Sequence, residues 1–187
     1  MTRILSPILL VVLLFPSLAL GGEVKYGDLV ERDGLFYKKF NEVPFSGTVT
    51  GGGKGEIKNG KWDGPFVIYH KNGQLAEKGT YRDGKEDSPW VRYWDNEQLN
   101  YKGDFKNGKS EGPWVSYYKN GQLYFKGTYR DGKKEGLWVI YYGNGQLWSK
   151  GDYKNGKREG PWVRYWKDGT VWEKLTGTYR NGVKVGK

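Results

Sequence analysis

The sequence predicts an all-β protein: an elongated, single-layer antiparallel β-meander built from 24-residue β-hairpin repeats. Three observations predict it. Gly55, Gly79, Gly103, Gly127 and Gly151 recur at a fixed step of 24. Trp90, Trp114, Trp138 and Trp162 keep the same step, with Phe66 in the first copy. Asn-Gly or Asp-Gly recurs in each copy, at Asn59-Gly60, Asp83-Gly84, Asn107-Gly108, Asp131-Gly132 and Asn155-Gly156. A fixed period of this length signals stacked units that cannot bury their apolar faces alone.

Within a unit the reading is two short strands. Leu123–Tyr129 and Trp138–Tyr142 are rich in the aromatic and β-branched residues that suit a pleated surface. The Asn-Gly and Asp-Gly pairs between strands tolerate the positive φ of tight hairpin turns. A second turn series falls at Asn72-Gly73, Asn120-Gly121, Asn144-Gly145 and Asp168-Gly169, with Asn96-Glu97 as a departure. Alternation places Trp114, Ser116 and Tyr118 opposite Val115 and Tyr117, while Leu99, Tyr101, Gly103 and Phe105 share a face. A glycine inside a strand leaves bare backbone, on which a neighbouring ring can lie.

The array divides into units 55–78, 79–102, 103–126, 127–150 and 151–176, then a partial copy over 177–187. Residues 22–54 read as a degenerate N-terminal capping repeat, with strands in Leu35–Phe40 and Pro44–Gly51. Atypical end units are expected where an edge must be shielded. About a dozen strands result, two per unit. Gly51-Gly52-Gly53 reads as a flexible junction between cap and array.

Residues 1–21 read as a signal peptide. Arg3 precedes an apolar run from Ile4 to Leu20, and Ala19-Leu20-Gly21 offers the small residues a signal peptidase reads. Cleavage near Gly21 makes the chain exported: periplasmic, envelope-bound or secreted. Retention of residues 4–20 as an anchor is the alternative, since the run approaches the ~20 residues that span a bilayer.

The stretch Y-K-G-D-F-K-N-G-K-S-E-G-P-W (Tyr101–Trp114) resembles the MORN repeat. F-K-G-T-Y-R-D-G-K-K-E-G-L-W (Phe125–Trp138) and S-K-G-D-Y-K-N-G-K-R-E-G-P-W (Ser149–Trp162) repeat it, with Ser149 replacing the first aromatic. The added N-G-Q-L and W-V-x-Y elements resemble the bacterial MORN-variant branch labelled YwqK-type antitoxin. The resemblance covers residues 55–187, and 31–54 loosely. It implies a binding or scaffolding surface. Its antitoxin label, joined to export, implies immunity against a toxin acting outside the cytoplasm.

Composition narrows the chemistry. The 187 residues include no Cys and a single His, so thiol catalysis, thiolate metal sites and His-clustered centres are excluded or weakened. His70 stands where other units carry Tyr or Trp and reads as an aromatic-slot filler. Glu111, Glu135 and Glu159 repeat identically, as structural residues do, and offer no unequal carboxylate pair. The glycines sit in hairpins, not at a helix start, so no phosphate loop is present. The chain reads as a non-enzyme with no cofactor and no metal site.

Binding remains. The first reading is a protein partner, a toxin or an envelope component. The second is an anionic lipid surface or wall polymer, supported by a formal net charge of +10. The third is a glycan held by Trp and Tyr. Nucleic acid suits the composition but not export. The candidate contact residues are Trp90, Arg92, Trp94, Trp162, Arg164 and Trp166. Val and Tyr are invariant on the opposite face, whereas the central position beside Trp varies: Ile68, Arg92, Ser116, Ile140, Arg164. The competing expectation is that Trp90 and Trp162 cover the sheet glycines and the arginines are solvated surface.

Overall fold

A computed structural model describes residues 21–186; the leader reading lies outside them apart from Gly21. The cap supplies β1 (Val24–Lys25), β2 (Leu29–Arg32), β3 (Leu35–Lys38) and β4 (Gly47–Thr50). The first unit supplies β5 (Gly53–Lys58), β6 (Lys61–Trp62) and β7 (Gly64–Tyr69). Then follow β8 (Leu75–Arg82), β9 (Lys85–Tyr93), β10 (Leu99–Lys106), β11 (Lys109–Tyr117) and β12 (Leu123–Arg130). The chain closes with β13 (Lys133–Tyr141), β14 (Leu147–Lys154), β15 (Lys157–Arg164), β16 (Gly177–Arg180) and β17 (Val183–Gly186). Fifteen strands form one open sheet in which neighbours in sequence are neighbours in space from β7 to β17.

The turns follow the sequence reading. Asn59, Asp83, Asn107, Asp131 and Asn155 have φ between 49° and 52°, and each is followed by a glycine that also has positive φ. Both central residues are therefore left-handed, the geometry whose twist matches a right-twisted hairpin.

The strands are longer than the sequence suggested. The second strand of the unit begins at Lys133, five residues before Trp138. The reason is a bulge. Lys126 faces Val139 and Thr128 faces Glu135, so Gly127 alone opposes Gly136, Leu137 and Trp138. Those extra residues fold the indole back over the glycine. A Cβ built on Gly127 would lie 2.8 Å from Trp138 Cγ and nearer still to its ring-fusion atoms. Gly79–Trp90, Gly103–Trp114 and Gly151–Trp162 repeat the arrangement.

The aromatic face is consequently a continuous chain of rings. Trp62, Phe66, Tyr81, Trp90, Phe105, Trp114, Tyr129, Trp138, Tyr153 and Trp162 each touch the next, with centroids 4.9–6.0 Å apart. All nine contacts are edge-to-face, a favoured geometry for aromatic pairs. Such a spine supplies the core that a single layer otherwise lacks: Trp138 is 1% exposed.

The cap departs from the expected strand pair. Segments Leu35–Lys38 and Gly47–Thr50 are strands, but they do not pair with each other. β3 pairs with β2 in a separate hairpin, while β4 joins the main sheet between β1 and β5. The β1–β4 pairing is parallel, an exception to the antiparallel expectation. Residues 39–46 do not pair as a strand beyond one bridge, Tyr37 to Pro44; proline has no N–H for a ladder. The hairpin sets Phe36 against Trp62 at 5.8 Å, and Tyr26 stacks on the same indole at 6.4 Å. The cap thus closes the N-terminal end of the aromatic spine. Gly51 and Gly52, with φ of 100° and 85°, form the β4–β5 turn, and Gly53 is paired with Ile68 within the sheet.

Candidate binding face

Three repeated rows of side chains have structural jobs. The indole N–H groups of Trp90, Trp114, Trp138 and Trp162 donate to the carbonyls of Thr80, Asp104, Thr128 and Asp152, at 2.8–3.3 Å. The aromatic-slot row donates to the next unit: Trp94 to the Tyr117 carbonyl, Tyr118 to Tyr141 and Tyr142 to Tyr165. His70 joins this row, with Nε2 3.1 Å from the Tyr93 carbonyl. In the Glu row, Glu111, Glu135 and Glu159 accept the turn N–H of Asp131, Asn155 and Asn181 at 2.7–2.9 Å. These contacts account for why the residues repeat.

A fourth row does not repeat. Cross-strand register joins Ile68, Glu77, Arg92, Tyr101, Ser116, Phe125, Ile140, Ser149 and Arg164 into one line across β7 to β15. Half of it was visible as the variable position beside Trp. The other half, Glu77, Tyr101, Phe125 and Ser149, was missed. Its signal was there: those four positions are 24 apart and all different.

The two arginines of this line stand in different surroundings. Arg92 Nε lies 3.5 Å from Glu77 Oε2, and Tyr101 donates to Glu77 Oε1 at 2.6 Å. Burial, followed by the hydrogen bond to Glu77, pushes the Tyr101 hydroxyl well above the ordinary phenol range. Tyr81 nearby is pushed up to about 12, first by burial and then by Glu86 and Glu77. Arg164 faces Ser149 instead. Its guanidinium carbon sits 4.3 Å from the Trp148 ring centre and 5.1 Å from that of Trp172. Its Nε is buried without a hydrogen-bond partner. Burial, then the charge of Arg158, pulls its pKa downward.

The six candidate residues therefore divide. Trp90 and Trp162, 3% and 4% exposed, are spent on covering glycines. Trp94 is half-buried in the slot row. Arg92 is engaged by Glu77. Arg164 has only aromatic company, and Trp166 is 45% exposed, stacked on Trp172 with centroids 3.8 Å apart. Among the described residues no group of three or more His, Cys, Asp or Glu is placed to hold a metal ion.

The geometry defines a class: an open hairpin-repeat meander crossed by one line of non-repeating residues, of which Glu77, Ser116, Ile140 and Ser149 are buried and Arg92 is exposed. The family model described as "MORN repeat variant" matches residues 62–83, 110–131 and 134–155, so the chain is similar to that family over three of its repeats. Repeats of that family are generally non-catalytic modules for binding and scaffolding, with proteins or lipids as their common partners. No curated protein matches the chain.

Proposed function

We propose that the chain is an exported, non-catalytic scaffold that binds a protein partner at the cell envelope through the non-repeating line of its aromatic face. The observation that carries this reading is the line itself. A residue needed for the repeat recurs with the repeat, whereas these nine positions carry charge, hydroxyl, aromatic and aliphatic groups in an order used once. Arg and aromatic residues are also those most enriched in interface hot spots. Export is supported by the apolar run from Ile4 to Leu20 and its small-residue exit. A toxin acting outside the cytoplasm falls within this class of partner.

A second reading, attraction to anionic lipid or wall polymer, is favoured by one observation on the other face. Lys78, Lys102, Lys126 and Lys150 line up in register with Val91, Val115, Val139 and Val163. Such attraction weakens strongly with ionic strength.

The test is capture from envelope extract of the native host, run beside isolated wall material and anionic vesicles. A stoichiometric protein partner retained at high salt supports the scaffold. Binding only to vesicles or wall, lost at high salt, replaces it with the second reading.

A further inference from the structure

The structure assigns to Arg164 a guest carboxylate: an Asp or Glu side chain on an acidic segment of the protein partner. This rests on the scaffold reading above and names the chemistry of its contact. The argument is an internal comparison. Arg92 and Arg164 occupy the same position three units apart. In the earlier unit the cross-strand neighbour is Glu77, which binds Arg92 at 3.5 Å and is itself held by Tyr101. In the later unit the neighbour is Ser149, too short to reach the guanidinium and already 4% exposed. The fold thus shows how a carboxylate is held beside this arginine, and then omits that carboxylate where Arg164 stands.

Nothing else among the described residues replaces it. Arg164 enters no ion pair, and no oxygen among the described residues accepts from its guanidinium. Its nearest charged company is cationic. Arg158, whose charge acts on Arg164 and on Lys134, lies over the Trp162 and Tyr179 rings, and Lys134 over Trp138 and Tyr153; neither is in an ion pair among the described residues. The N-terminal half of the line pairs Arg92 with Glu77; in the C-terminal half Arg164 is the one charged side chain of the line. A half-buried cation in this setting gains most from a charge-assisted, two-pronged hydrogen bond, which a planar carboxylate supplies. Nε is closed off beneath the stack, so the Nη end is the one that meets the guest. Half-buried Trp172 flanks it, backed by the exposed Trp166 stacked on its ring, the kind of aromatic wall that excludes water around a charged contact.

The probe is a fluorescein-labelled hexaglutamate peptide, titrated with the full chain at low salt and read by anisotropy. Arg164→Ser, Arg92→Ser and Ser149→Glu each lower the net charge by one, so non-specific attraction treats them alike. Arg164→Ser is expected to weaken binding at least tenfold. Ser149→Glu, which rebuilds the Glu77 arrangement inside the chain, is expected to do the same. Arg92→Ser should change affinity less than about twofold, since Arg92 is already engaged. Equal losses in Arg92→Ser and Arg164→Ser, no binding by the unaltered chain, or stronger competition by inorganic phosphate than by acetate would overturn the assignment. If Ser149→Glu fails to fold, the two arginine variants still decide. A partner captured from envelope extract equally well by Arg164→Ser leaves the scaffold standing and removes only this contact.

Discussion

The indole of Trp138 lies directly on the backbone of Gly127, which opposes three residues of the neighbouring strand at a bulge. The contact leaves no volume for a methyl group. Gly127→Ala is therefore expected to destabilise the array by roughly 2–3 kcal/mol through overpacking, although Gly→Ala more often stabilises where space permits. Urea unfolding followed by Trp fluorescence measures it. An unchanged or raised midpoint would show that the indole can leave the glycine at no cost.

Two positions break the left-handed glycine pattern. Ser88, at φ 68°, occupies the bulge place taken by Gly112, Gly136 and Gly160, and Glu97, at φ 65°, takes the place of Gly121 and Gly145. A left-handed conformation costs a non-glycine residue about 1–2 kcal/mol, partly offset by the flexibility glycine adds to the unfolded chain. Ser88→Gly and Glu97→Gly should each raise the thermal midpoint by a few degrees, corresponding to about 0.5–1 kcal/mol. A fall in midpoint for both counts against strain at these sites.

Arg92→Ser leaves Glu77, 9% exposed, without its cation, while Tyr101 still donates to it. Loss of about 1 kcal/mol is expected. Arg164→Ser removes a buried Nε that has no partner and should leave stability within about 0.5 kcal/mol of the parent. Paired denaturation curves check the contrast, and equal effects would mean that the Arg92–Glu77 contact is not maintained in solution.

Alkaline stability follows from the tyrosines. Burial pushes Tyr81 up to about 12, and burial with the Glu77 hydrogen bond pushes Tyr101 higher still, while an unfolded tyrosine ionises near 10. A pKa raised on folding contributes stability that is intact below the unfolded value and lost as pH climbs from there through the folded one. Phenolate absorbance should therefore show Tyr81 and Tyr101 ionising only as strand circular dichroism collapses, above about pH 10. Their titration near 10 in a folded chain would show the hydroxyls to be solvated.

Three turns, at Asp131, Asn155 and Asn181, are each tied to the preceding unit by one glutamate. Glu135 Oε2 accepts the Asn155 N–H at 2.9 Å, so Glu135→Ala frees one amide two turns of the chain away. Hydrogen exchange at Asn155 should quicken about tenfold or less, in line with a net hydrogen bond of ~0.5–1.5 kcal/mol, with little change in the first units. Uniform quickening along the array would mean that the units do not report locally.

The sequence by itself determined the period, the turns and the glycine–aromatic pairing. Each rests on a local demand: a positive φ that Asn-Gly or Asp-Gly meets, and an alternation that fixes which side chains share a face. The non-repeating positions Ile68, Arg92, Ser116, Ile140 and Arg164 were legible for the same reason. Register across strands was not legible, and it decided the rest. The bulge at Gly127 lengthened β13 backward to Lys133, and the β2–β3 hairpin left the main sheet to cover Trp62. Register likewise made two identical arginines different. Arg92 meets Glu77 and Arg164 meets Ser149, both 15 residues earlier in the chain, and only the pairing of strands brings an acid to one and leaves the other without it.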